Sequence, residues 1–66
     1  MQMTDEIMQN IERRALDARV SITDLCGRSG VSPATFTRWR AGRKPWVRTI
    51  VKLETALDKI ERERKS

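Results

Sequence analysis

Seven cationic side chains, Arg28, Arg38, Arg40, Arg43, Lys44, Arg48 and Lys52, fall between Asp24 and Glu54 with no carboxylate among them. They outnumber the net +5 of the 66-residue chain, so the remainder is net acidic and the basicity is concentrated in the middle. Guanidinium groups offer planar, forked donors to phosphates and other oxyanions, while ammonium groups act as point charges. A stretch of one sign suits a polyanion, either nucleic acid or an acidic membrane surface; a merely solubilising face mixes both signs.

Other chemistries are poorly supplied. A single cysteine, Cys26, excludes a disulfide within the chain, and the absence of histidine removes both the usual zinc ligand sets and the commonest catalytic base. Asp17, Asp24 and Glu54 are separated carboxylates with no visible partner. The chain is therefore expected to be no enzyme and to need no metal or cofactor. Cys26 reads as a small buried hydrophobe, since no second thiol or activating histidine exists. No apolar run approaches the ~20 residues that cross a bilayer, and the polar, acidic N-terminus does not read as a signal sequence. A cytoplasmic protein with no membrane partner is expected.

The elements that must position the cations are helices. One domain over residues 1–66 is predicted, with apolar residues recurring at helical spacing throughout. The first helix runs from about Asp5 to Ala18 through Ile7, Ile11 and Ala15, with Thr4 as cap and Met3 packing on Met8 as a staple. Ser21 caps a short second helix that ends near Arg28 or Ser29, and Gly30 supplies the turn. Ser32 caps the third helix, Pro33 takes its first position and Gly42 stops it. A fourth helix follows Pro45 with Val47, Ile50, Leu53, Leu57 and Ile60 on its apolar face, and residues 61–66 are expected to fray.

Residues 21–42, SITDLCGRSGVSPATFTRWRAG, contain two short helices around a tight turn. Cys26 is small where the axes approach, Gly30 turns the chain, and Leu25, Val31, Phe36 and Trp39 face inward. This spacing resembles the phage repressor and Cro-type, Xre-like helix-turn-helix family. The resemblance extends through Gly42, Pro45, Val47, Ile50, Leu53, Ala56 and Leu57. It implies an all-α, lambda-repressor-like bundle of about four helices with a central helix-turn-helix. Ile22 stands where the family commonly has a phosphate-anchoring glutamine, and Arg40 where it commonly has glutamate. Ser29 replaces a usually apolar residue and Trp46 a usual capping residue, and both changes are expected to loosen the local fold. Trp46 itself is expected first in the core, with DNA stacking or a subunit contact as alternatives.

With Phe36 and Trp39 inward, the 100° step of an α-helix turns Ala34, Thr37, Arg38 and Ala41 outward, toward the major groove. Arg38 is the expected reader of guanine, with Ala34 and the Thr37 methyl available to thymine methyls. Ser32, Arg40, Arg43, Lys44, Arg48 and Lys52 are the expected phosphate contacts. The resemblance implies a small transcriptional regulator of repressor or Cro type in a bacterial or phage-infected cell. It is expected to be a homodimer on a pseudo-palindromic operator of double-stranded DNA, with Val51, Ile60 and Trp46 as interface candidates. The alternative is an antitoxin or adaptor of the same fold whose main role is to hold a partner protein.

Overall fold

The computed structural model describes the backbone of residues 3–65 and the side chains of residues 6–64. It contains four helices, α1 (Met3–Asp17), α2 (Ile22–Ser29), α3 (Ala34–Arg40) and α4 (Val47–Lys65), and no strand among the described residues. The expected Thr4 cap and Met3–Met8 staple fall outside the described side chains. Helix α4 packs against both α1 and α2. Their shared core joins Met8, Ile11, Ala15 and Ala18 of the N-terminal segment to Leu25, Cys26, Phe36 and Trp39, and to Ile50, Leu53, Leu57 and Ile60. Burial of this apolar set is the main favourable contribution, at ~25 cal/mol per Å² removed from water. The expected core residues Leu25, Phe36 and Trp39 are all fully buried, and Val31 packs partly buried against them.

Three helices end in one hydrogen-bond pattern. After α1, Val20 N–H donates to Ala15 O and Arg19 N–H to Leu16 O; after α2, Val31 N–H donates to Cys26 O and Gly30 N–H to Gly27 O. After α3, Arg43 N–H donates to Arg38 O and Gly42 N–H to Trp39 O. Each pair is a Schellman motif, which satisfies carbonyls that the helix leaves open and requires a left-handed residue just past the end. Gly30 (φ 74°) and Gly42 (φ 100°) meet that requirement without steric cost, as expected. Arg19 takes the same conformation at φ 59° with a Cβ in place, and no residue pattern announces it.

Helix starts follow the expectations with small shifts. Ser21 Oγ accepts from Asp24 N–H at 3.0 Å and caps α2. Pro33 already has helical dihedrals, while Ser32 Oγ accepts from Ala34 N–H at 3.3 Å. Ser29, expected to loosen the fold, instead turns its hydroxyl back onto Leu25 O and Cys26 O at 2.9 and 3.1 Å. Ile22 packs partly buried against the core.

Helix α4 runs to Lys65, and Arg14 clasps it to α1 through Asp58 and Glu61. Arg14 Nε and Nη2 donate to the two Glu61 carboxylate oxygens at 3.0 and 2.8 Å, and Nη2 also to Asp58 at 2.7 Å. Three expectations are corrected, at Val47, Trp46 and Ile60. Val47, in phase with the apolar stripe, is 71% exposed because it lies in the first turn of α4, before the stretch that carries the core. Trp46 is 73% exposed rather than core. Ile60 is buried on the stripe shared with Leu53 and Leu57, so it is unavailable as an interface residue.

Candidate nucleic-acid interface

Helix α3 carries the site, and its inward face anchors it. Phe36 and Trp39 are buried with ring centroids 5.8 Å apart and planes tilted by 39°, a favourable aromatic geometry. That anchoring leaves Ala34, Thr37 and Arg38 exposed on α3, with Ala41 exposed as its C-terminal cap. Every expected base or phosphate contact is exposed: Ser32, Ala34, Thr37, Arg38, Arg40, Ala41, Arg43, Lys44, Arg48 and Lys52.

The structure groups these residues unequally. Arg38 of α3 meets Arg43 and Lys44 of the following loop along a cleft of about 340 Å³. Thr35, Pro45, Trp46 and Thr49 complete its lining, and no carboxylate is among the lining residues. Three cations and two hydroxyl groups in one concavity are donors suited to phosphate oxygens. For Trp46 DNA stacking was only an alternative to the core, and Thr35 and Thr49 were not among the expected contacts. Their signal in the sequence was weak, because a threonine on a helix is usually only a solvated side chain.

The remaining cations lie apart. Arg48 places its guanidinium carbon 5.8 Å from the centroid of the Trp46 ring, a cation–π contact. Lys52 lines a second groove of about 310 Å³ with Arg28, Lys59, Val51 and Ala56 among others. Arg28 pairs with Asp24 one turn earlier, at 3.0 Å. Arg40 donates to the Glu12 carboxylate, which joins the end of α3 to α1 and engages one of the expected phosphate ligands within the protein.

Burial pushes the Cys26 thiol pKa upward, which favours the neutral thiol in the core. Hydrogen bonding to Glu61 raises the Arg14 pKa, with Asp58 adding to it and partial burial opposing it. Among the described residues there is no group of three or more Cys, Asp or Glu placed to hold a metal ion. Among the described residues, no helix is long and apolar enough to cross a membrane.

A family model for the Cro/C1-type helix-turn-helix DNA-binding domain matches residues 10–60. No curated protein and no solved structure matches the chain.

Proposed function

The chain belongs to the Cro/C1-type helix-turn-helix DNA-binding domain family, and from that premise we propose that it is a sequence-specific transcriptional regulator of repressor or Cro type. Helix α3 enters the major groove and the basic residues around it hold the backbone. The observation that carries this reading is the position of Arg38. It stands on the exposed side of a helix anchored by Phe36 and Trp39, and it also lines the cleft with Arg43 and Lys44. A reader of base edges and the clamps on the neighbouring phosphates thus occupy one continuous surface.

Arg38 supplies the forked donors that match guanine O6 and N7, and Ala34 and Thr37 offer small apolar contacts to thymine methyls. Ala41 completes the groove-facing set. Ser32, Arg43, Lys44, Arg48 and Lys52 bind phosphates, and Arg40 joins them by exchanging Glu12 for the backbone. The active species is a homodimer on a pseudo-palindrome whose half-sites lie about 34 Å apart or a multiple of that. Val47 and Val51, exposed four residues apart on α4, are the apolar candidates for its interface.

Selection of binding sites from random DNA by the purified chain tests the proposal, with a two-fold symmetric motif as the expected product. On the selected site, Arg38→Ala is expected to cost about 1–3 kcal/mol and to relax preference at one base pair. Lys44→Ala is expected to weaken selected and random duplexes alike and to reduce the salt slope by about one. Equal losses on both duplexes for both variants would remove Arg38 as a reader. Binding only in the presence of a co-purifying protein would favour an adaptor role.

A further inference from the structure

The exposed indole of Trp46 is left unexplained by packing. Trp46 is fixed at the start of α4, where its carbonyl accepts from Thr49 N–H at 2.9 Å and Ile50 N–H at 3.1 Å. Its side chain is 73% exposed, although burying an aromatic of this size is favourable by about 1.5–3 kcal/mol. The ring lines the cleft beside Arg38, Arg43 and Lys44, and Arg48, which is not a lining residue, sits over it.

We propose that Trp46 is a DNA-contacting residue, and that the cleft seats a sugar–phosphate strand whose deoxyribose packs on the indole while Arg43 and Lys44, beside the base-reading Arg38, take the phosphate charge. The inference rests on the DNA-binding reading and adds to it a sequence-independent contact. Charge decides the class of occupant: the lining carries three cations and no carboxylate, so an anion is favoured. The ring decides its form. A free oxyanion offers nothing to an indole, whereas a strand presents apolar sugar faces beside each phosphate, which suits the amphipathic ring. Thr35 and Thr49 add hydroxyl donors on opposite sides of the loop.

The chain carries its own reporter, because its other tryptophan, Trp39, is only 1% exposed. Acrylamide, a neutral quencher that the cationic cleft does not concentrate, is expected to quench Trp46 in the free chain and to lose access once a random-sequence duplex binds at low salt. Inorganic phosphate at matched ionic strength is expected to leave Trp46 quenchable. Trp46→Ala is expected to weaken random and selected duplexes about three- to tenfold with an unchanged salt slope, since no charge is lost. Trp46→Phe is expected to restore most of that loss.

Binding of a labelled duplex, followed by its anisotropy, while Trp46 stays open to acrylamide would overturn this inference and leave the DNA-binding reading intact. Absence of duplex binding would overturn both. Protection by phosphate alone would make the cleft a small-anion site, and protection that grows with protein concentration without DNA would assign Trp46 to contact between copies. Either result overturns the proposal.

Discussion

Cys26 shows how a side chain with reactive potential serves as packing. It is fully buried within the helix-turn-helix, and its thiol is held above its ordinary pKa by desolvation. The unfolded chain therefore ionises first as pH rises. The stability linked to this group is whole below the unfolded pKa and is lost as pH climbs through the higher folded pKa. At neutral pH, Cys26→Ala is expected to lower stability by about 1 kcal/mol through lost packing. Denaturant titrations should show that gap narrowing above about pH 9, where the unfolded thiol ionises; a gap independent of pH would count against the burial argument. Cys26 was legible in the sequence because no second thiol or histidine offered it chemistry. Trp46 was not, because the side chain that suits a core equally suits an exposed binding wall, and only its neighbours distinguish the two.

At the scale of elements, the helices were legible where a boundary has a local cause. Ser21, Gly30 and Gly42 act within a few residues of themselves, and the structure uses each as expected. Arg19 is the exception, since nothing in a charged residue announces a left-handed conformation. That conformation carries a steric cost of about 1–2 kcal/mol, partly offset on substitution by the larger backbone entropy that glycine loses on folding. Arg19→Gly is therefore expected to raise stability by about 0.5–1 kcal/mol, read as a higher denaturation midpoint with an unchanged slope. A lower midpoint would mean that the arginine side chain contributes more than its backbone costs. Periodicity placed Val47 and Ile60 together on one apolar face, but a phase angle does not say how far along a helix its neighbours extend. Packing covers the stripe from Ile50 to Ile60 and leaves Val47 outside.

Across the whole molecule, the decisive contacts are those between distant residues, and these are what the sequence concealed. The run of charges from Glu61 reads locally as a solvated tail, yet Glu61 lies 47 positions from the arginine that holds it. Arg14 joins the two longest helices at their ends, and it is partly buried there, so its ion pairs are less screened than surface ones. Arg14→Met is expected to cost about 1 kcal/mol and to leave Asp58 and Glu61 facing each other one turn apart. Amide exchange in the last turns of α4 should accelerate more than in its middle; uniform exchange along α4 would mean that the clasp does not hold the end. The electrostatic surface has a similar history: the chain concentrates its cations in one segment, but the fold gathers Arg38, Arg43 and Lys44 and leaves Arg28 and Arg40 with internal carboxylates. Arg43 N–H donates to Arg38 O at 2.8 Å, so the backbone of the loop cation is tied to that of the exposed cation on α3 in the free chain. In the proposed DNA complex this tie presets the backbone spacing of the two cations, so less loop entropy is lost on association.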